Sequence, residues 1–332
     1  MDKVAALSEQ DRKDLFHEVS AKKGFSEAIA EKDFWVCWVL MKLFAHPEIA
    51  EKILFKGGTS LSKVFRLIER FSEDIDLVVD WRLLTDKDPL EDRSRKQQKI
   101  LTEDLVQKSD QYVRTTMKGL IKEAVGDFCN LELSPHEKGI VLIKYPCCFE
   151  DQYVRPEVRL ELGPRSEWIP HGEYSITPYA AEEFPKLFEN PKCRVVAINA
   201  ERTFWEKATI LHKEFFRPEG SPVPERYSRH YYDMAMMGRS WVKDKAFKNL
   251  GLLDRVIDFN KRFFVSSWAN YDLAKPGTMK LVPPAFAQEG LKKDYALMRD
   301  MIIGEPPGFD VILSQLEALE REINELGGGK TK

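Results

Sequence analysis

Residues 56–80, KGGTSLSKVFRLIERFSEDIDLVVD, decide the fold. The apolar run Ile53, Leu54, Phe55 leads into Gly57-Gly58, and Thr59 then stands as an N-cap before an apolar-periodic stretch over 61–68. The pattern predicts strand, tight glycine turn, helix. Beyond it, Ile75, Leu77 and Val79 alternate with Asp74, Asp76 and Val78, the period-two mark of a second strand with both aspartates on one face.

Upstream, helical spacing is expected over 10–22 and 27–45, the second with a core stripe of Phe34, Trp35, Trp38, Val39, Leu43 and Phe44. Downstream, 92–128 is charged with apolar residues at helical intervals, which predicts one or two helices, and strands are expected at 140–145 and 154–162. From about Pro185 helical patterns take over, at 200–216, 227–239, 241–264, 284–303 and 308–326. The loop 217–225, with three prolines and a glycine, reads as a turn or flap, and no internal repeat or low-complexity segment occurs.

The chemistry of the quoted stretch follows from its spacing. Consecutive glycines before a helix let backbone approach a triphosphate, and the N–H groups of Gly57, Gly58, Thr59 and Ser60 favour an anion. Lys63, one turn on, could reach the same phosphates. Two aspartates at i and i+2 on a strand have Cα atoms roughly 6 to 7 Å apart, which suits metal ions about 3.5 to 4 Å apart. An oxygen-only set selects Mg²⁺, or Mn²⁺, over zinc. A third carboxylate is expected from the strand Glu157-Val158-Arg159-Leu160-Glu161-Leu162, with Glu161 as the choice and Glu157 as the alternative. Taken singly, each piece also has a bland reading: a plain turn, a solvated strand face, an exposed acidic edge. Their joint order is what points to nucleotide transfer.

Composition bounds the rest. A chain of 332 residues favours two packed domains, and 43% hydrophobic with 32% charged residues is globular. A formal charge of -3 gives no global field for nucleic acid, so RNA contact would need local clusters, of which Arg226, Arg229 and His230 form the best. Five cysteines without a C-x-x-C pair point to a reducing compartment and no zinc site, and His212 and His230 lack ligand spacing. The opening MDKVAALSEQDRKD has no apolar signal core, and no run nears the roughly 18 apolar residues of a membrane span, so a cytoplasmic location is expected.

The same stretch resembles the nucleotidyltransferases of the AbiEii abortive-infection family, toxins of type IV toxin-antitoxin pairs. The match lies in Gly57-Gly58, in Ser72-Glu73-Asp74-Ile75-Asp76, and in two later helices, Glu201-Arg202-Thr203-Phe204-Trp205-Glu206-Lys207 and Arg229-His230-Tyr231-Tyr232-Asp233. It spans roughly residues 27 to 240 and departs from the simplest signature in having Gly-Gly for Gly-Ser, with Ser60 just beyond. The resemblance implies an α+β fold: a DNA polymerase β-like core, a small mixed sheet flanked by helices, followed by a C-terminal α-helical domain. The expected division is 1–185 for the nucleotidyltransferase domain with its N-terminal helices, 186–326 for the helical domain and 327–332 for a disordered tail.

The resemblance further implies that Asp74 and Asp76 hold the metal, that Lys207 sits against the triphosphate, and that Asp233 orients Lys207 or a metal-bound water. Arg229 would meet nucleotide or acceptor phosphate. Ser72 would lie beside the metals or simply fix the turn. The implied activity is Mg²⁺-dependent transfer of a nucleoside monophosphate from an NTP to a hydroxyl, with RNA, at the tRNA 3′ end, as acceptor. Growth arrest in phage defence would follow, and a cognate antitoxin encoded nearby need not bind the enzyme. Two other readings stay open at this point: γ-phosphoryl transfer to a protein, against which the absence of a Walker or kinase signature argues, and a non-catalytic nucleotide-binding module.

Overall fold

The computed structural model describes residues 1–151 and 154–327, so the tail expected at 327–332 lies, past Gly327, outside the described residues. The chain forms two compact units. The first comprises Met1–Arg66, Phe71–Glu91 and Ile100–Ile198; the second comprises Leu67–Arg70, Asp92–Lys99 and Asn199–Lys332.

The first unit is α+β. Its strands are β1 (Ile53–Lys56), β2 (Asp74–Val79), β3 (Asn130–Leu133), β4 (Ile140–Lys144), β5 (Glu157–Gly163), β6 (His171–Ile176) and β7 (Cys193–Ile198). Among the described residues they make one seven-stranded mixed sheet in the order β3-β4-β5-β2-β1-β7-β6. β1 runs antiparallel to β2 and parallel to β7, while β2 runs parallel to β5. The strands expected at 140–145 and 154–162 are thus β4 and β5, while β3, β6 and β7 extend a sheet that continues past residue 185.

One face of the sheet carries the core. Ile53, Phe55, Ile75, Leu77, Val158, Leu160, Val195 and Ala197 are buried there with Phe34, Trp35, Trp38 and Leu43 of the helix Glu27–Ala45. That helix starts on Ser26, whose hydroxyl accepts from the Ile29 amide, and its aromatic stripe is the one its spacing predicts. On the opposite face a smaller apolar cluster, Leu54, Val78 and Ile198 with Trp168 and Val196, covers part of the sheet. The alternate residues Lys56, Asp74, Asp76, Arg159 and Glu161 share that face, because side chains alternate along each strand.

The helix after β1 differs from expectation. It spans Gly57–Lys63, so Thr59 lies inside its first turn and does not cap it, and Arg66, at φ 52°, turns the chain before the 61–68 pattern is complete. The stretch 92–128 forms the helices Arg95–Tyr112 and Lys118–Val125, joined by a π-helical segment Val113–Met117.

The second unit is helical: Ala200–Phe215, Ser228–Gly238, Trp241–Phe247, Leu250–Phe263, Ala285–Leu297 and Phe309–Glu325. The pattern over 241–264 proves to be two helices, Trp241–Phe247 and Leu250–Phe263, with Asn249 at φ -131°, ψ 68° breaking the helical backbone between them. Two of these helices pack closely: a Cβ on Gly238 would stand 2.7 Å from Leu319 Cδ2. Asp294 accepts from the backbone amides of Arg226 (2.6 Å) and Ser228 (2.8 Å), and so caps the Ser228–Gly238 helix from a distance in sequence. His212 is a strut: its Nδ1 accepts from the Lys280 amide at 3.0 Å and its Nε2 donates to the Asn270 carbonyl at 3.2 Å.

Candidate active site

The first unit brings the two aspartates, the glycine turn and Glu161 to one face. In the β1–β2 register Lys56 lies opposite Asp76, and in the β2–β5 register Asp76 lies beside Glu161 and Asp74 beside Arg159. Residues paired in register point to the same side. Lys56, Asp76 and Glu161 therefore form one row, with Asp74 and Arg159 in the next.

Gly57 is required at its place. Its φ is +82°, and a Cβ there would stand 1.8 Å from Asp76 Oδ2, so the carboxylate occupies the space a side chain would fill. Thr59 fixes the neighbouring strand: its hydroxyl donates to the carbonyl of Ser72 at 3.1 Å and to that of Asp74. Ser60 is buried and donates to the Gly57 carbonyl at 2.9 Å. The turn is thus held to the aspartate strand by the Thr59 hydroxyl and braced internally by Ser60, while Gly58 and Ser72 remain half-buried beside it.

Charge is concentrated here. Burial, followed by the nearby carboxylates of Glu73 and Glu161, raises the Asp74 pKa above the usual aspartate value. Glu161 accepts from Arg159 Nε at 2.9 Å, and Arg159 also reaches Glu137 at 2.8 and 2.9 Å. Glu157, half-buried, lies on the same face as Glu161 at the start of β5. Among the described residues no three His, Cys, Asp or Glu side chains are grouped as a ready-made metal cage. A pair of hard carboxylates on one sheet face still fits Mg²⁺, which is usually held by one or two carboxylates with the other positions left to water and substrate phosphate.

Lys63 is placed elsewhere. It is buried and pairs with Asp33 at 2.7 Å, over the ring of Tyr179, whose amide also donates to Asp33. Although burial opposes its charge, Asp33 holds the Lys63 pKa above the ordinary lysine value.

In the second unit, Asp233 is fully buried and bound by two cations. Arg70 grips it through Nε at 2.7 Å and a second guanidinium nitrogen at 2.9 Å, and Lys207 Nζ stands 2.8 Å away. Burial alone would raise the Asp233 carboxyl; the Arg70 and Lys207 charges overcome it and hold the group well below the usual range. Arg229 is exposed on the same helix. His230 is a correction to the expected basic cluster. Burial, then the Lys207 and Arg229 charges, push its pKa well below 6.5, so at neutral pH it adds no positive charge.

With this geometry in view, comparison with known proteins gives one family. The family model described as "Nucleotidyl transferase AbiEii toxin, Type IV TA system" matches residues 38–315. The chain belongs to this family. It is accordingly a nucleotidyltransferase toxin of a type IV toxin-antitoxin system, with a nucleotide substrate and an antitoxin counterpart. No curated protein sequence matches it. Among solved structures it is similar to MenT4, the nucleotidyltransferase toxin Rv2826c from Mycobacterium tuberculosis H37Rv, with 13% identity and a TM-score of 0.43 over 97% of this chain and 98% of that one.

Two features of this AbiEii toxin were not legible from the motifs. Arg70, inside the quoted stretch, is the bidentate partner of Asp233 across 163 residues, and nothing in its local pattern signals that. The run Glu31-Lys32-Asp33, three consecutive charges in an aromatic-rich helix, is buried throughout. That run did carry a signal, since charges on every face of one turn cannot all reach solvent beside the core stripe.

Proposed function

We propose that this toxin transfers a nucleoside monophosphate from an NTP to a hydroxyl of RNA, at the tRNA 3′ end, with Asp74 and Asp76 as the Mg²⁺ ligands. The observation that carries the reading is the Asp76 carboxylate seated in the side-chain space of Gly57, next to Asp74, on the one sheet face where acidic charge accumulates. Magnesium bound there would supply Lewis-acid polarisation of the acceptor oxygen and neutralise charge on the departing pyrophosphate. The acceptor oxygen bonds to the α-phosphorus, the α–β bridging bond breaks with its electrons on pyrophosphate, and the hydroxyl proton is lost to solvent.

The chain's own residues set up this chemistry. Gly57 and Thr59 fix the two aspartates, as described above, so that little reorganisation is needed during reaction. Arg159 holds Glu161 beside Asp76 and spreads the acidic charge. In the second unit Asp233 holds Lys207 at 2.8 Å as a charge-assisted pair, with Arg229 exposed on the same helix as Asp233. In the cell the outcome is growth arrest of the abortive-infection kind, released through the antitoxin.

The test incubates purified protein with each of four α-³²P NTPs, Mg²⁺ and total tRNA, beside Asp74→Ala and a γ-³²P control. Label in tRNA from the α position only, lost in Asp74→Ala, is the expected result. Label passing from the γ position, or equal silence of wild type and variant with every acceptor, would overturn it.

A further inference from the structure

We infer that Lys32 is a positioning residue for the catalytic strand, setting Asp74 in place from the core side of the sheet. This rests on the reading of Asp74 and Asp76 as divalent-ion ligands. Lys32 is 1% exposed and lies in the Glu27–Ala45 helix, outside the stretch matched by the family model. Its ammonium donates to the Arg155 carbonyl at 2.7 Å and to the Glu157 carbonyl, and stands 3.5 Å from the Glu73 carboxylate.

These three partners lie at the starts of two strands. Arg155 and Glu157 bring the chain into β5, and Glu73 immediately precedes Asp74, the first residue of β2. β2 and β5 are parallel, so no hairpin ties them, and their ladder begins only at Asp74 beside Arg159. Lys32 closes that open end. It also places a positive charge against Glu73, whose carboxylate otherwise adds to the repulsion on Asp74.

Burying an ammonium is a poor way to gain stability. Replacing a whole ion pair by well-packed apolar side chains usually serves a core as well or better. Its neighbours on the helix turn show the contrast: Glu31 accepts from the amides of Cys148 and Phe149, and Asp33 pairs with Lys63, while Lys32 alone among the three reaches both the residue before β2 and the first residue of β5. Loss of Lys32 should therefore be felt at the metal site in addition to the fold, whereas loss of Glu31 should be felt in the fold alone.

The experiment titrates Mn²⁺ alone into the full chain, with the free ion followed by electron paramagnetic resonance, for wild type, Asp74→Asn, Lys32→Met, Lys32→Arg and Glu31→Gln. Lys32→Met should weaken Mn²⁺ binding about 10- to 100-fold, the usual effect of removing an outer support of a metal ligand, and should also lower Tm, because the Arg155 and Glu157 carbonyls and the Glu73 carboxylate lose their donor. Lys32→Arg, which keeps the charge and donors, should recover part of the affinity. In transfer assays kcat should fall with little change in KM for the NTP. Glu31→Gln should lower Tm and leave Mn²⁺ affinity intact. If Asp74→Asn loses Mn²⁺ while Lys32→Met binds like wild type, the inference fails and the metal-site reading stands. If wild type and Asp74→Asn bind alike, the metal-site reading itself fails and takes this one with it. Should Lys32→Met not fold, Lys32→Arg decides, since it keeps the charge against Glu73 but moves the donors: wild-type affinity there overturns the proposal, and a partial loss supports it.

Discussion

Replacing Gly57 with alanine isolates the contact on which the active-site reading turns. The new Cβ would stand 1.8 Å from Asp76 Oδ2, and ordinary contact begins near 3.4 Å, so the carboxylate must retreat by about 1.6 Å. A displacement of about 1 Å in a reacting group can cost on the order of 100-fold in rate, so a loss of at least that size is expected in kcat. Backbone strain adds a second, separable effect, because φ of +82° costs an L-residue roughly 1–2 kcal/mol. Gly24→Ala is the matched control: its φ is +76°, and nothing lies within 4 Å of the added Cβ. Both variants should lose a few degrees of Tm, Gly57→Ala the more because its Cβ also meets Asp76 Cβ at 2.9 Å, while only Gly57→Ala loses nucleotidyl transfer in the α-³²P assay. A Gly57→Ala protein as active as wild type would refute the argument that Asp76 must hold this position.

Three further outcomes are expected. His212 uses both ring nitrogens as a neutral group and its pKa is lowered from 6.5, chiefly by burial, so below about pH 6.5 the unfolded chain binds a proton that the folded ring refuses. Stability should therefore fall on acidification by up to ~1.4 kcal/mol per pH unit, and urea unfolding of His212→Gln across pH 5.5 to 7 should show a shallower slope of about that difference; equal slopes would remove His212 as the cause. Asp233→Ala leaves Arg70 and Lys207 buried without their carboxylate, and should cost about 3–5 kcal/mol in denaturant unfolding. Asp294→Ala removes the remote cap of the Ser228–Gly238 helix and should cost about 1–2 kcal/mol by the same measurement.

What the sequence made legible followed from local periodicity. The Glu27–Ala45 helix and the Asp74–Val79 strand each carry a repeat matching one element, strong enough to place both aspartates on one face. The shared row of Asp76 and Glu161 needed only the assumption that β2 and β5 are neighbours. Other elements were hidden for physical reasons. β6, HGEYSI, is a sheet-edge strand with four of its six side chains polar or absent, so little apolar alternation marks it. Thr59 looked like a cap because its hydroxyl was weighed against its own helix, whereas it bonds to carbonyls 13 and 15 residues on. Lys63 looked like a phosphate ligand by its distance from the glycines, yet its partner is Asp33, in a helix that no local rule brings near it. The Arg70–Asp233 pair belongs to the same class, since partners so far apart in sequence leave no trace in any short window.

The strand order has a consequence for synthesis. β1 and β2 are made early, yet their outer neighbours come much later: β2 waits for β5, with Asp76 beside Glu161, and β1 waits for β7, with Phe55 beside Ala197. An emerged chain shorter than about Gly163 holds both aspartates on β1 and β2 alone, and such isolated strand pairs are at best marginally stable. Long-range pairings of this kind also form slowly. The topology thus delays assembly of the sheet that carries both aspartates until its later strands have emerged.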